Sequence, residues 1–197
     1  MNTSASPRVL TVVLNYRTPE LALRAVEGAL REMEDMAGAI TVVDNASGDG
    51  SLEKIREAVA AHGWERVRVV QAGHNGGYGA GNNFGVRHGL PDGSDPDYVY
   101  ILNPDAVPES GAIRALLDFM ERHPDAGFAG SRVHGEDGSY HRTAFRFPTI
   151  FSEFESGAAT GPISRLLRRY ILSMPEPSGD TEVDWVAGAS LMVRHRV

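Results

Sequence analysis

Short runs of β-branched and aliphatic residues alternate along this chain with longer stretches whose apolar side chains recur every three or four positions. Val9-Leu-Thr-Val-Val-Leu14 has no polar alternation beyond Thr11, the pattern of a strand covered on both faces. Thr18-Pro19 follows as an N-cap and a favoured first helical residue, and Leu21, Ala25, Val26, Leu30 and Met33 make one apolar stripe. Ile40-Thr-Val-Val43 is a second strand. Ser51 then caps a helix carrying Leu52, Ile55 and Val59 and closing at Gly63. Val67-Arg-Val-Val70 is a third strand, followed by a glycine-rich loop and a short helix ending near Gly89. Tyr98-Val-Tyr-Ile-Leu102 is a fourth strand, and Ser110 begins a helix with Ile113, Leu116, Leu117 and Met120 that Pro124 terminates.

Strand and helix therefore alternate four times at intervals of roughly thirty residues, the rhythm of a mostly parallel α/β sheet. Ligands of such sheets collect beyond the carboxyl ends of the strands. The pattern places Asn15, Asp44, Gly73 to Gly81 and Asn103 to Asp105 at those four ends. After Pro124 the rhythm changes. Phe128 to Val133 and Asp184 to Arg194 read as strands, Gly135-Glu-Asp-Gly138 as a turn, and Phe151 to Ser173 holds an amphipathic helix with Leu166, Leu167, Tyr170 and Ile171 opposed to Arg165, Arg168 and Arg169. Loops are expected around Pro91 to Asp97, Ser156 to Pro162 and Met174 to Glu182.

Composition narrows the function. The chain has 197 residues, 42% of them hydrophobic, enough for one well-buried domain. Its net charge of −7 argues against nucleic acid as the main partner, because a phosphate-tracking surface needs clustered base. The absence of cysteine excludes disulfides, thiolate zinc sites and a cysteine nucleophile, and fits a reducing cytoplasm. No apolar run approaches the ~20 residues that span a bilayer, so a soluble chain is expected.

Asp44-Asn45 ends the second strand, where a carboxylate can accept a hydrogen bond from a pyrimidine N–H or a ribose hydroxyl; the same residues also suit a helix-capping turn. Gly73-His-Asn-Gly-Gly-Tyr-Gly-Ala-Gly-Asn-Asn83 allows close backbone approach to a ligand and exposes amides at a helix start. It does not follow the first strand, which excludes a dinucleotide fingerprint, and it lacks the Gly-Lys-Ser/Thr ending of a P-loop. Asp105 is the candidate ligand for Mg²⁺ or Mn²⁺, which take carboxylate, diphosphate and water oxygens. Asn103 is neutral, so metal binding without nucleotide should be weak. The histidines show no metal-ligand spacing. Arg165, Arg168 and Arg169 form either a solvated helix face or a contact for anionic lipid or a lipid-diphosphate acceptor.

Six stretches in order resemble the family 2 inverting glycosyltransferases of the GT-A fold, especially their rhamnosyltransferase-like branch. They are Val13-Leu-Asn-Tyr-Arg17, Val42 to Ser51, Asn75 to Gly85, Ile101-Leu-Asn-Pro-Asp-Ala106, Asp137-Gly138 with Phe145-Arg-Phe-Pro148, and Trp185-Val-Ala-Gly-Ala-Ser190. The resemblance implies a Rossmann-like, mostly parallel sheet flanked by helices, with residues 1–133 as the nucleotide-sugar-binding half and 134–197 as a mixed acceptor-side region. It implies a dTDP- or UDP-linked sugar donor, rhamnose first, and transfer with inversion to a glycan or lipid-linked acceptor. It places Asn15 and Tyr16 in the nucleoside pocket, Asp44 at the base, Asn75, Asn82 and Asn103 along the donor, and Asp105 on the metal–diphosphate. Trp185, Gly188 and Ala189 would border the acceptor.

Two departures carry expectations. Asn103 replaces the first aspartate of the family's Asp-X-Asp motif. The family's acidic general base is expected beyond Val197, so the chain reads as truncated, binding nucleotide but transferring poorly. The implied location is the cytoplasm, with peripheral association at the inner membrane face. A sugar-nucleotide pyrophosphorylase is a rival reading, disfavoured because Asn15-Tyr-Arg-Thr18 lacks its glycine-rich basic signature. A non-catalytic nucleotide-binding module is the other. A nicotinamide-dependent oxidoreductase is disfavoured by the position of the glycines.

Overall fold

The computed structural model describes residues 6–135, 137–158 and 171–196. The elements run β1 (Arg8–Asn15), α1 (Pro19–Glu32), β2 (Ala37–Asp44), α2 (Ser51–Ala61), β3 (Val67–Gln71), α3 (Gly77–Arg87), β4 (Tyr98–Leu102), α4 (Ala112–Arg122), β5 (Phe128–Gly130), β6 (Val133–His134), β7 (Tyr140–His141), β8 (Ala144–Phe145), α5 (Ile150–Ala158), β9 (Trp185–Val186) and β10 (Ser190–Arg194).

The main sheet has the order β3-β2-β1-β4-β10-β5. Its first four strands are parallel, and β10 runs antiparallel to β4 with Ser190 opposite Leu102. Chain order reverses between β1 and β4, which is where a crevice opens in sheets of this kind. Both faces of the sheet are covered, which is why β1 reads as a nearly unbroken apolar run. Val9 and Val13 enter one core with Ile40, Val42, Tyr98, Tyr100 and Leu102, packed by α1 and α4 residues such as Val26, Ala29, Ile113 and Leu117. Leu10, Val12 and Leu14 point the other way and join Ala39, Val43, Val99 and Ile101. The period of two thus sorts one strand into two cores.

Several boundaries differ from those the sequence predicts. Thr18 precedes Pro19 but makes no side-chain cap; instead Asn15 Oδ1 accepts the Thr18 N–H at 3.1 Å. Ser51 is the first residue of α2 rather than its cap. Gly50, at φ +87°, takes the cap position, and Asp49 Oδ1 accepts from Ser51 N at 3.1 Å. Helix α4 begins at Ala112 after left-handed Gly111, two residues later than Ser110 suggests. The single strand expected over Asp184 to Arg194 is two, β9 and β10, because the turn at Gly188 and Ala189 interrupts it. The stretch from Phe128 to Val133 likewise divides into β5 and the start of β6.

The chain forms two compact units, residues 1–129 with 188–197, and residues 130–187. The second contains two small antiparallel ladders, β6 with β7 and β8 with β9. In it the Phe145 and Trp185 rings stack at 4.1 Å between centroids, and Trp185 Nε1–H donates to Arg146 O at 3.0 Å. Most of the amphipathic helix expected over Phe151 to Ser173, with Arg165, Arg168 and Arg169, lies outside the described residues; α5 covers its beginning.

Candidate functional site

The carboxyl ends of β1, β2, β3 and β4 share one edge, as parallel pairing requires. Asn15 stands in register with Asp44, and Asp44 with Gln71. On the other side of β1, Val13 is in register with Leu102, so Asn103 to Asp105 emerge at the same edge. With strands ~4.8 Å apart, Asp44 and the end of β4 flank β1 at roughly 10 Å.

Asn15 and Asp44 are fully buried and bonded to each other: Asn15 Nδ2 donates to Asp44 Oδ1 at 2.9 Å. Ser47 completes the knot. Its hydroxyl donates to Asp44 Oδ1 at 2.5 Å and its N–H to Asp44 Oδ2 at 3.1 Å. Ser47 also receives the Arg17 N–H on its hydroxyl oxygen at 3.0 Å and Arg17 Nε–H on its carbonyl at 3.1 Å. Both carboxylate oxygens of Asp44 are thus engaged within the protein, which is how a buried charge is tolerated. Arg17 (φ 61°) and Ala46 (φ 55°) are the positive-φ non-glycine residues among those described, and both adjoin this knot. Such strain persists only where surrounding bonds over-determine the backbone, and it concentrates at functional loops. Tyr16 projects from the same loop, 41% exposed, with the Arg17 guanidinium 5.2 Å from its ring centre.

Asn45, next to Asp44, is 3% exposed. Its Nδ2 donates to Asn75 Oδ1 at 2.9 Å, joining the end of β2 to the glycine-rich loop, while its own Oδ1 is buried without a protein partner. Asn75 Oδ1 also accepts the Gly77 N–H at 2.9 Å. Asn82 repeats the arrangement: Nδ2 donates to Tyr78 O at 3.0 Å and Oδ1 is buried and unpaired. Two amide oxygens under one loop therefore lack donors, each at a cost of about 1–3 kcal/mol until a polar hydrogen reaches it.

The glycines of this loop divide by role. A methyl on Gly81 would lie 2.5 Å from Leu14 Cδ1, and one on Gly85 2.7 Å from Val12 Cγ1. These two, one turn apart, let α3 rest directly on β1 and β2. Gly73, Gly77 and Gly79 face open space, and Gly77 starts the helix at φ +82°. Only the latter group keeps the amide-exposing role expected of the whole run.

At the end of β4, Asp105 is exposed and Asn103 half-buried. Asn103 N–H donates to Ala189 O at 2.9 Å, so the Gly188–Ala189 turn lies beside the Asn103-Pro-Asp105 loop. Tyr78, from α3, donates its hydroxyl hydrogen to Gly188 O. Partial burial pushes the Tyr78 phenol up, the Asn82 side-chain amide pulls it back in part, and the charge of nearby Asp105 adds to the rise. Trp185 belongs to the second unit.

No group of three or more His, Asp or Glu placed to hold a metal ion occurs among the described residues. Asp105 offers one hard, solvent-facing carboxylate with neutral Asn103 beside it. This donor set fits a Mg²⁺ or Mn²⁺ ion that takes its remaining oxygens from a diphosphate and water, and does not fit a cation caged by protein alone.

The sequence expectation that Asn15, Asp44, Gly73 to Gly81 and Asn103 to Asp105 follow strand ends on one sheet edge agrees with the parallel register of β1 to β4. Asn45, Ser47 and Tyr78 were not singled out by sequence reasoning. Asn45 and Ser47 sit in the same polar turn as Asp44, and Tyr78 is the one aromatic residue inside the glycine run, but only geometry separates an engaged oxygen from an unpaired one.

The family model described as Glycosyl transferase family 2 matches residues 9–173. Two relatives described as N-acetylglucosaminyl-diphospho-decaprenol L-rhamnosyltransferase, from Mycobacterium tuberculosis strains CDC 1551 / Oshkosh and ATCC 25618 / H37Rv, are each 30% identical, covering 94% of this chain. The chain spans 61% of the length of these relatives. Among solved structures, the mannosyltransferase PcManGT from Pyrobaculum calidifontis, in complex with GDP-Man and Mn²⁺, aligns with a TM-score of 0.59 at 16% identity, over 97% of this chain and 45% of that one. S. aureus TarS 1-349 aligns with a TM-score of 0.53 at 16% identity, over 73% of this chain and 42% of that one. These two likenesses establish the fold, a mostly parallel α/β sheet shared with GT-A glycosyltransferases.

Proposed function

The chain belongs to glycosyl transferase family 2, and on that premise we propose that its carboxyl sheet edge binds a nucleoside-diphosphate sugar for transfer, with inversion, to a lipid-linked glycan. The observation that carries this reading is the gathering at one edge of the Asn15–Asp44–Ser47 knot, the α3 amino terminus and the Asn103-Pro-Asp105 loop, on adjacent parallel strands. The M. tuberculosis relatives are named for adding L-rhamnose to N-acetylglucosaminyl-diphospho-decaprenol, which supports a deoxyhexose donor and a prenyl-diphosphate acceptor here.

Asp105 would hold Mg²⁺ or Mn²⁺ against the donor diphosphate, with Asn103 alongside; when bound, the ion offsets charge on the departing nucleoside diphosphate. The exposed amides at the start of α3 face the same anion, as the positive end of a helix favours. Asn15 and Asp44 fix the loop that carries Tyr16, and Asp44 Oδ2, which accepts only the Ser47 N–H, keeps a lone pair for a ring N–H or ribose hydroxyl of the nucleoside. Asn45 and Asn82 supply acceptors. An amide oxygen suits the ring N–H of thymine, uracil or guanine and discriminates against adenine and cytosine, which lack one there. Reaching it requires the exposed glycine-rich loop, with Asn75, to shift. Displacement at the anomeric carbon then proceeds through an oxocarbenium-like state while a base on the acceptor side takes the hydroxyl proton. Asp184 is engaged locally, its Oδ2 accepting the Phe147 N–H at 2.8 Å. Within the first unit, the Gly188–Ala189 turn would border the acceptor.

No helix among the described residues is long and apolar enough to cross a membrane. Access to a lipid-linked acceptor would then be peripheral, at the cytoplasmic face. The second unit supports this with Phe147, Ile150, Phe151 and Phe154, which are 64%, 87%, 54% and 62% exposed within eight residues of sequence. Arginines 165, 168 and 169 follow shortly after, chemically suited to anionic headgroups.

Incubating the chain with dTDP-, UDP- and GDP-linked sugars, Mn²⁺ and a prenyl-diphosphate N-acetylglucosamine, read by mass spectrometry, tests the reading. Nucleoside diphosphate released preferentially from a dTDP- or UDP-deoxyhexose supports it. Conversion of a sugar nucleotide with pyrophosphate into a nucleoside triphosphate would instead establish the pyrophosphorylase alternative.

A further inference from the structure

We propose that Tyr78 is a positioning residue whose hydroxyl latches the glycine-rich helix α3 to the Gly188–Ala189 turn, setting where that turn stands against the Asn103–Asp105 loop. The inference rests on the donor-binding reading above and adds a route by which donor occupancy reaches the acceptor-side turn.

The turn is held from two directions. Ala189 O accepts Asn103 N–H at 2.9 Å, fastening it to the end of β4, and Gly188 O accepts the Tyr78 hydroxyl, fastening it to α3. The ring itself presses on the turn: a methyl added to Gly188 would come within 3.1 Å of the Tyr78 hydroxyl oxygen, 3.2 Å of Cε1 and 3.4 Å of Cζ. Glycine at position 188 is therefore what lets the phenol lie flush. The base of the latch is also fixed. Asn82 Nδ2 holds the Tyr78 carbonyl at 3.0 Å, and Asn75 Oδ1 holds the Gly77 N–H at 2.9 Å.

Burial does not account for this placement, because Tyr78 remains 45% exposed. A half-exposed phenol can exchange its protein acceptor for water at little cost, so the bond is a weak tie that can open and close. Its neighbours include groups assigned to the donor: Asn82, whose Nδ2 donates to its carbonyl, and Asp105, whose charge reaches its hydroxyl. A diphosphate settling against Asp105 and the start of α3 would fix α3, and Tyr78 would pass that ordering to Gly188 and Ala189, where β10 begins.

Hydrogen–deuterium exchange read by mass spectrometry tests this on the chain as it stands, wild type and Tyr78→Phe, with and without dTDP or UDP plus Mn²⁺. Without nucleotide, Tyr78→Phe should speed exchange in a peptide covering 187–192 by about three- to tenfold and leave the β1 peptide unchanged. Nucleotide with Mn²⁺ should slow exchange across 73–85 in both proteins, but across 187–192 in the wild type alone. Gly188→Ala, which crowds the ring from the other side, should reproduce the loss of that coupling. Unchanged 187–192 exchange in ligand-free Tyr78→Phe, or nucleotide protection of 187–192 that survives the substitution, overturns the latch. Absence of protection at 73–85 in the wild type would instead overturn the donor-binding reading on which the coupling depends.

Discussion

Asp44 and Asn45 are neighbours with opposite situations: one is a charge whose oxygens are both bonded inside the fold, the other an amide whose oxygen has no donor. They should fail differently. Asp44→Ala removes the acceptor of the Ser47 N–H and hydroxyl and leaves Asn15 Nδ2 only its bond to Ser47 Oγ at 3.2 Å, and is expected to cost about 2–3 kcal/mol of stability, measured by urea unfolding. Asn45→Ala should lower nucleotide affinity about tenfold, roughly 1.4 kcal/mol, in a fluorescence competition assay. A third residue prediction concerns Tyr100, fully buried with its hydroxyl 2.7 Å from Ser190 Oγ. Burial pushes its phenol up to about 12. The raised folded value means its contribution is fully present below the unfolded value near 10 and is lost as pH rises from ~10 toward ~12, up to about 2–3 kcal/mol. Urea midpoints should fall over that window more steeply in the wild type than in Tyr100→Phe.

At the scale of elements, α3 separates two meanings of glycine. Gly85→Ala drives a methyl to 2.7 Å from Val12 Cγ1 and 2.8 Å from Val43 Cγ2, and should destabilise by about 1–3 kcal/mol. Gly79→Ala meets nothing within 4 Å in the same helix and should stabilise by up to about 1 kcal/mol. Thermal denaturation of the two variants distinguishes them by sign. The sequence was informative here only in part. β1, β2 and β4 were legible because burial on both faces leaves a continuous apolar run, and α1 and α4 because one buried face leaves a stripe. The glycine run was not, since a residue without a side chain looks alike whether it meets a sheet, a ligand or water. The breaks at Gly188–Ala189 and after Gly130 were also hidden, because β9 and β10 each carry strand-forming residues and only pairing with different partners, β8 and β4, divides them.

For the whole molecule, the alternation of strands and helices told which polar residues would share an edge, because parallel pairing leaves no other arrangement. It could not tell which of them are engaged by one another, a matter of side-chain angles rather than order along the chain. The exposed aromatic cluster of the second unit carries its own expectation: the chain should co-sediment with vesicles containing anionic lipid more than with neutral ones, and Phe154→Ser should weaken that binding several-fold. The central claim is the cation-bridged diphosphate at the edge of the first unit. Isothermal titration of dTDP and UDP into the chain, with and without Mn²⁺, against the same titrations of Asp105→Ala, tests it most directly. The account predicts binding strengthened by Mn²⁺ in the wild type and at least tenfold weaker in Asp105→Ala. Nucleotide affinity indifferent both to Mn²⁺ and to the loss of Asp105 would contradict it.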